Sequence, residues 1–299
     1  MNVSFLQELM NTVAEQSRAL LPKALFGAGE EESLEVLARA LMSGRGEASG
    51  VAIARQLLNE LKKANGDDRR AFYRYLADEL QPNPAEVARA AEAYLATPSE
   101  ATLSLLQKIS ESPRREFFRR LNLAPGATAE IVALRRELLR LPKGEPGIAS
   151  LDADLEKLLI SWFNRGFLVL RRIDWQTPAA ILEKIIAYEA VHEIKGWDDL
   201  RRRLDPQDRR CFAFFHPARV DEPLIFVEVA LMQDIPDAIA PVLSARAGAN
   251  PVQPTTAVFY SISNTQLGLK GISFGNFLIK QVVEDLLRDL PNLRPFVTL

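Results

Sequence analysis

The stretch TTAVFYSISNTQLGLKGISFGNFLIKQVVEDLLRDL, residues 255–290, predicts how the second half of the chain folds. A β-branched and aromatic run ends at Ser263, a turn with three glycines follows, and a long amphipathic helix then begins. A helix N-terminus has unpaired backbone N–H groups and a partial positive charge, and glycines let that backbone approach an anion closely. The segment from Gln266 to Gly275, which contains Lys270, is therefore a candidate site for a phosphate-bearing ligand.

The spacing of Gly268, Gly271 and Gly275 does not by itself identify the ligand. The turn does not end in Gly-Lys-Ser/Thr, so it is not the P-loop of nucleotide triphosphatases. It also departs from the dinucleotide-binding fingerprint, because no acidic residue stands about twenty positions on in a following strand. On spacing alone, a phosphate-binding turn and an ordinary turn are equally supported.

Residues 166–299 predict a mixed α/β domain. The run LIFVEVALM, 224–232, is almost continuously apolar, so we expect a central strand that is covered on both faces. The other strand-like runs are 167–170, 211–215, 255–263 and 295–299, and helical patterns lie between them at 178–191, 197–204 and 275–290.

Residues 1–165 instead predict a bundle of helices with short links. The residues expected to face its core are Leu34, Leu37, Ala38, Leu41, Leu57, Leu58, Leu61, Leu155, Leu158, Leu159 and Trp162. Four helix starts pair a capping side chain with a proline at the first helical position: Asn83-Pro84, Thr97-Pro98, Ser112-Pro113 and, in the second half, Thr177-Pro178. The stretch 141–150, rich in proline and glycine, is the best candidate for a hinge.

The composition is that of an ordinary globular protein. Of the 299 residues, 47% are hydrophobic and 25% are charged, and the formal net charge is −2, which leaves no cationic excess for a nucleic acid or an anionic membrane. The N-terminal segment has the pattern of an amphipathic helix, not of a signal peptide, and no apolar run is long enough to span a bilayer. Cys211 is the only cysteine, so no intrachain disulfide can form, and we expect a cytoplasmic location.

The histidines and the cysteine are better explained by structure than by chemistry. His192 stands at the end of a predicted helix, where an imidazolium complements the helix dipole. His216 ends a strand before a proline and is expected to be a satisfied edge histidine, and Cys211 is expected to be a small core residue. Two separated histidines and one cysteine do not form a zinc site, so no metal is expected.

Three stretches together resemble a known family: WFNRGFLVLRRIDWQTPAAILEKIIAYEAVHEIKGWDDLRRRL (162–204), RRCFAFFHP (209–217) and FYSISNTQLGLKGISFGNFLIKQV (259–282). They look like malonyl-CoA decarboxylase, and the resemblance covers about residues 30–299. The glycine-rich turn also resembles the pyrophosphate-binding turn of the acetyltransferase-like (GNAT) fold, which holds acyl-CoA. The resemblance implies a helical oligomerisation domain, 1–165, followed by a GNAT-like catalytic domain, 166–299.

The resemblance also implies an activity and a binding site. Members of the family convert malonyl-CoA to acetyl-CoA and carbon dioxide without a metal or organic cofactor, so the expected partners are these two thioesters and further copies of the chain, as a dimer or tetramer. Carried over residue by residue, the malonyl-CoA-contacting turn falls on Lys270, Gly271, Ile272, Ser273, Phe274, Gly275 and Asn276.

No catalytic residue is assigned within the chain. The family's serine lies in a Ser-Pro-x-Pro-Gly-Phe stretch after a strand corresponding to RPFVTL, and its histidine lies farther downstream, so both are expected beyond Leu299. Neither His192 nor His216 occupies the place of that histidine. The resemblance thus implies a GNAT-like domain that is incomplete at its C-terminus, with little turnover by this chain alone. Two alternatives stay open: a GNAT-type acyl-CoA N-acetyltransferase, and a non-enzymatic acyl-CoA-binding oligomerisation module.

Ser261 and Ser263 alternate on the strand that leads into the turn, so both side chains point to the same face. Either both satisfy local hydrogen bonds at the strand end, which is the favoured interpretation, or one of them lines the acyl pocket. The acidic pairs at helix starts are assigned to capping and not to acid–base catalysis: Asp67-Asp68 and Asp198-Asp199.

Overall fold

The computed structural model describes residues 33–43, 47–142, 144–219, 221–244, 254–272 and 275–299. The chain divides after Leu159 into two units. A helical N-terminal region is followed by a mixed α/β region, as the sequence predicts.

The described part of the first unit is built from helices. They are α1 (Leu34–Met42), α2 (Glu47–Lys63), α3 (Gly66–Glu79), α4 (Pro84–Ala96), α5 (Glu100–Ser110), α6 (Pro113–Leu121), α7 (Ala127–Leu138) and α8 (Ile148–Trp162), the last of which continues past Leu159. Helix α1 packs against α2, both of them contact α6, and α4 packs against α5. The short links between these helices confirm the predicted helical region.

The core of the first unit lies where these helices meet. Most of the residues predicted to face it are buried, and only Leu34 and Trp162 are half-buried. An aromatic group fills the centre: the ring of Phe117 lies 6.3 Å from that of Phe72 and 5.2 Å from that of Phe118, centroid to centroid. All three rings are almost completely buried. Removing this apolar surface from water stabilises the folded unit by about 2–3 kcal/mol per side chain.

Two of the four predicted helix caps are confirmed. The side chain of Asn83 accepts the backbone N–H of Ala85, and that of Ser112 accepts the N–H of Arg114, each with proline at the first helical position. These bonds satisfy N–H groups that have no partner within the helix.

The caps assigned to Thr97 and Thr177 are wrong. Helix α5 is capped by Ser99, which forms a reciprocal capping box with Thr102, whereas Thr97 ends the preceding helix. The hydroxyl of Thr177 accepts the backbone N–H of Asp174 and so closes a turn before the next helix. For Thr177, a competing side chain–backbone bond nearby takes the hydroxyl that the dipeptide pattern assigns to the helix.

The second unit contains one sheet with strand order β1 (Val169–Ile173), β2 (Arg209–Phe215), β3 (Ile225–Met232), β4 (Thr256–Asn264) and β5 (Phe296–Thr298). The first four strands are antiparallel neighbours, and β5 pairs parallel to β4. The helices are α9 (Ala179–Tyr188), α10 (Trp197–Leu204), α11 (Ile239–Ser244) and α12 (Gly275–Asp289). Strand β3 lies in the middle and is buried along its length, which confirms the predicted central strand.

The register divides the buried side chains between two faces of the sheet. Cys211, Ala213 and Phe226 lie on the face that carries α9 and α10. Phe212 lies on the opposite face, as does its cross-strand partner Arg172. The guanidinium of Arg172 is 3.7 Å from the carboxylate of Asp289, so the end of α12 lies on that opposite face.

Two local features differ from the sequence prediction. Strand β1 begins at Val169, because residues 165–167 form a short 3-10 turn in which the Phe167 side chain is 58% exposed. Helix α11 was not predicted, because its six residues include Pro241 and are too few to show a helical period. Within the described residues, no helix is long and apolar enough to cross a membrane.

Candidate functional site

The glycine-rich turn connects β4 to α12. Strand β4 ends at Asn264, residues 267–269 form a single 3-10 turn, and α12 begins at Gly275. Gly271 has a φ of +87°, a conformation that a residue with a Cβ atom adopts only with strain. The path of the turn therefore requires glycine at this position.

Two residues at the start of the turn connect it to the segment between β2 and β3. The backbone N–H of Thr265 donates to the carbonyl of Leu224 at 3.0 Å, and its hydroxyl donates to the same carbonyl at 3.1 Å. The side-chain amide of Gln266 donates to the carboxylate of Glu222 at 3.2 Å. The start of the turn is thus held by hydrogen bonds to a neighbouring loop as well as by the strand.

The structure describes part of the predicted malonyl-CoA-contacting set. Lys270 is exposed, and its backbone N–H donates to Leu267 at 3.0 Å, whereas Ile272 is buried and donates to Leu269 at 3.1 Å. Exposed Gly271 lies between them, Gly275 and Asn276 begin α12, and Ser273 and Phe274 lie outside the described residues. The contacts of this set with a ligand stay a prediction.

The position of the turn favours anion binding for two physical reasons. It follows the carboxyl end of β4, whose pairing with β5 is parallel, and ligands of open α/β sheets bind outside the carboxyl ends of parallel strands. It also leads into the N-terminus of α12, where the first backbone N–H groups and the helix dipole attract negative charge. With the ammonium of Lys270 in the same turn, the arrangement can hold a phosphate group.

Ser261 and Ser263 contact a carboxylate that the sequence did not indicate. The hydroxyl of Ser261 lies 2.9 and 2.8 Å from the two carboxylate oxygens of Glu189, and the hydroxyl of Ser263 donates to Oε2 at 3.2 Å. The backbone N–H groups of Val191 and His192 each donate to Oε1 at 2.8 Å. The two serines do share a face and their hydroxyl oxygens lie 3.3 Å apart, but their main partner, Glu189, is distant in sequence.

Glu228 lies on the neighbouring strand directly opposite Ser261 and is fully buried. Its Oε2 accepts a hydrogen bond from Arg203 at 3.0 Å, while its Oε1 has no hydrogen-bond partner. Desolvation raises the pKa of Glu228 to about 7, against the opposing effect of Arg203 and with a further contribution from the charge of Glu189. The sequence signal for Glu228 was a single acidic residue inside the apolar run LIFVEVALM.

His216 is a satisfied edge histidine, as predicted. Its Nδ1 accepts the backbone N–H of Ala218 at 3.1 Å, so Nε2 carries the proton and donates to the carbonyl of Trp162 at 3.1 Å. Desolvation lowers the pKa of His216 and so favours the neutral ring, although the bond to Trp162 acts in the opposite direction. The prediction for His192 is wrong: the helix ends at its cap Glu189, and His192 lies beyond it, half-buried.

The other polar candidates have structural surroundings. Cys211 is completely buried, and desolvation raises its pKa well above the usual value, as expected for a core thiol. The acidic pairs lie in the first turns of α3 and α10, but the cap of α3 is Asn65, and only Asp199 accepts a nearby backbone N–H, that of Lys195. Within the described ranges, no group of three or more histidine, cysteine or acidic side chains could hold a metal ion.

Comparison with protein families matches both parts of the chain. Residues 80–163 match the malonyl-CoA decarboxylase N-terminal domain, and residues 166–299 match the malonyl-CoA decarboxylase C-terminal domain. The mitochondrial malonyl-CoA decarboxylase of Anser anser anser is 39% identical over 196 residues, and that of Rattus norvegicus is 37% identical over 193 residues. These alignments cover 63% and 62% of the chain but only 39% of each relative, so the chain spans about two-fifths of the length of the curated relatives.

Solved structures give the same relationship. The crystal structure of malonyl-CoA decarboxylase from Rhodopseudomonas palustris has 55% sequence identity and a TM-score of 0.81, covering 89% of this chain and 65% of that one. The enzyme from Agrobacterium vitis has 54% identity and a TM-score of 0.84, with the same coverage. These relatives do not favour the acetyltransferase alternative. The chain belongs to the malonyl-CoA decarboxylase family.

Proposed function

We propose that the chain binds malonyl-CoA at the glycine-rich turn and takes part in its decarboxylation to acetyl-CoA and carbon dioxide. The observation that carries the proposal is the strand–turn–helix arrangement at residues 264–275, with Gly271 at positive φ, in a domain that matches the family's C-terminal model over 166–299. The contact residues proposed are those of the turn: Lys270, Gly271, Ile272, Ser273, Phe274, Gly275 and Asn276.

The chemistry needs little from the protein beyond position and charge. A carboxylate β to a thioester loses carbon dioxide when the thioester carbonyl accepts the electron pair as an enolate, which is then protonated. The protein has to orient the carboxylate out of the thioester plane and to stabilise the enolate oxygen. In this proposal the first N–H groups of α12 and the ammonium of Lys270 hold the phosphates of coenzyme A, and so fix where the acyl end lies.

The proposal extends to the assembly and location of the chain. Residues 1–165 form the oligomerisation domain of a dimer or tetramer, which analytical ultracentrifugation tests, and residues 166–299 form the acyl-CoA-binding domain. A cytoplasmic location belongs to the same proposal, and a completely buried Cys211 as the only thiol supports a reducing compartment.

Binding of malonyl-CoA, measured by isothermal titration calorimetry, tests the site. Lys270→Ala is expected to weaken binding by about tenfold, because one charge-assisted contact to phosphate is lost. Lys108→Ala, at an exposed lysine of α5 in the other unit, is the matched control and should leave affinity unchanged. Malonyl-pantetheine, which lacks the pyrophosphate, should bind wild type and Lys270→Ala equally. A tenfold loss with that ligand too would place Lys270 at the acyl end instead.

Turnover tests the reaction itself. Acetyl-CoA and carbon dioxide released from malonyl-CoA are followed with this chain and with Lys270→Ala, side by side. Carbon dioxide release supports the proposal. Acetyl transfer to an amine acceptor without carbon dioxide from malonyl-CoA would overturn it in favour of the acetyltransferase.

A further inference from the structure

We infer that Glu189 is a positioning residue that fixes the end of β4 and, through it, the acyl-CoA-binding turn; the inference rests on the proposed function of that turn. Its carboxylate accepts hydrogen bonds from four donors at once, two serine hydroxyls on β4 and two backbone N–H groups of its own loop. The serine partners are Ser261 and Ser263, which directly precede the turn.

The location of Glu189 is not explained by the stability of its own helix. It is the C-cap of α9, and the C-terminal end of a helix carries a partial negative charge that disfavours a carboxylate. The donors around it offset this repulsion. Because the hydroxyl donors come from β4, the charge at this helix end connects α9 to the strand that leads into the turn.

The end of β4 has few other attachments among the described residues. Strand β5 pairs with Ala257, Val258 and Phe259, whereas residues 261–264 pair with β3 alone. The serine hydroxyls lie in this last stretch and are almost fully buried, at 2% and 1% exposure for Ser261 and Ser263. Glu189 therefore supplies the side-chain attachment of the strand end on the α9 side of the sheet.

Further hydrogen bonds hold the serines in place beside Glu189 and the start of the turn beyond them. The hydroxyl of Ser263 also accepts the backbone N–H of Ala190 at 3.3 Å, and the two serine oxygens lie 3.3 Å apart. Downstream, Thr265 and Gln266 hold the start of the turn against the segment between β2 and β3. A shift of β4 at the serines would thus be passed directly into the turn, since one residue, Asn264, separates Ser263 from Thr265.

The test compares Glu189→Ala with Glu189→Gln. The alanine variant removes every acceptor. The glutamine variant keeps a carbonyl oxygen for the N–H groups of Val191 and His192, and its NH₂ group can donate to the serine hydroxyls, which accept as readily as they donate. Asp174→Ala is the control, because Asp174 also accepts a backbone N–H, that of Gln176, but near the opposite end of α9.

Two measurements are made on the full chain: amide hydrogen exchange of residues 265–272 without ligand, and the dissociation constant of malonyl-CoA. Glu189→Ala is expected to accelerate exchange in this segment and to weaken binding, each by about tenfold, while Glu189→Gln stays within about twofold of wild type. Asp174→Ala should change neither. The double variant Ser261→Ala/Ser263→Ala, which removes the hydroxyl donors alone, should act in the same direction as Glu189→Ala.

The inference is overturned if Glu189→Ala exchanges like wild type over residues 265–272, or if Asp174→Ala produces the same acceleration. It is also overturned if amide exchange of residues 265–272 is as fast in Glu189→Gln as in Glu189→Ala. If Glu189→Ala is too unstable to purify, the double serine variant decides on the same criteria. Failure of wild type to bind malonyl-CoA would instead contradict the proposed function, and the exchange measurement would still decide the role of Glu189.

Discussion

Each unit of the molecule buries an arginine beside a carboxylate, and the two pairs are satisfied to different degrees. In the first unit, Nε of Arg114 donates to Asp154 at 2.8 Å and to Ser112 at 3.0 Å, and its Nη1 donates to the carbonyl of Ala77 and the hydroxyl of Ser150, both at 3.1 Å. These acceptors come from α3, from α8 and from the cap of α6. The guanidinium therefore joins three helices.

The pair in the second unit leaves one carboxylate oxygen without a donor. Arg203 donates to Oε2 of Glu228 and to the carbonyl of Glu193, but Oε1 of Glu228 is buried without a partner. An arginine partner therefore does not by itself satisfy both oxygens of a buried carboxylate. Each buried oxygen that loses water needs a replacement donor.

The largest expected effect concerns the well-satisfied pair. Arg114→Met should lower the free energy of unfolding by about 4 kcal/mol, because it leaves Asp154 buried without its cation. Arg119→Met is the control on the same helix, since Arg119 is exposed and its ion pairs with Glu111 and Glu116 should contribute less than about 1 kcal/mol. Urea unfolding followed by circular dichroism measures both. Equal losses would show that the Arg114 network is no stronger than a surface pair.

The next effect concerns Glu228 and depends on pH. Its folded pKa is about 7 and its usual value is 4.5, so between these values the folded chain holds a proton that the unfolded chain has released. The stabilisation is complete below pH 4.5 and is lost as pH rises through 7, by about 3 kcal/mol in total.

Urea unfolding of wild type and Glu228→Gln across this range isolates that contribution, because glutamine does not titrate and the other groups cancel in the difference. We expect wild type to lose stability relative to Glu228→Gln as pH rises. A difference that stays constant with pH would mean that the carboxylate of folded Glu228 is ionised across this range, and would contradict the raised pKa.

The smallest effect tests how closely the Arg114 network is packed. Gly147 precedes α8 at a φ of +76°, and a Cβ atom there would lie 2.6 Å from the Cβ of Ala77. Gly147→Ala should therefore cost about 2 kcal/mol in backbone strain and overpacking. Gly126→Ala, at a similar φ of +77° but with nothing within 4 Å, should cost about 1 kcal/mol from strain alone. Urea unfolding measures both variants. Equal losses in the free energy of unfolding would mean that Ala77 moves away from the added methyl group without cost.

Much of the fold was predictable because it depends on local periodicity. The runs 211–215 and 224–232 are apolar at almost every position, which predicts strands that are buried on both faces. The helices of the first unit repeat a clear apolar face. Thr97 and Thr177 show where local reasoning failed, since Ser99 caps the helix after Thr97, and the hydroxyl of Thr177 accepts the N–H of Asp174 instead of a helical one. The dipeptide alone does not say which residue caps the helix or which bond a hydroxyl forms.

The candidate site was predictable only in part. The turn could be recognised from its glycines, because the positive φ at position 271 favours glycine over every other residue. Glu189 leaves no such trace: it ends an amphipathic helix among other charged residues, and its serine partners lie on a strand far along the chain. Glu228 could have been noticed as an acid within an apolar run, but its lack of a second donor depends on tertiary packing.

The parallel pairing of β5 with β4 has a consequence for the order of folding. Strand β3 follows β2 after residues 216–224 alone, whereas β5 pairs with β4 only after the chain has closed a loop of residues 265–295. Closing the longer loop costs more chain entropy, so we expect β2 to pair with β3 before β5 joins β4. The glycine-rich turn lies inside this loop. A ligand that binds the finished turn therefore favours the closed loop, and with it the pairing of β5 with β4.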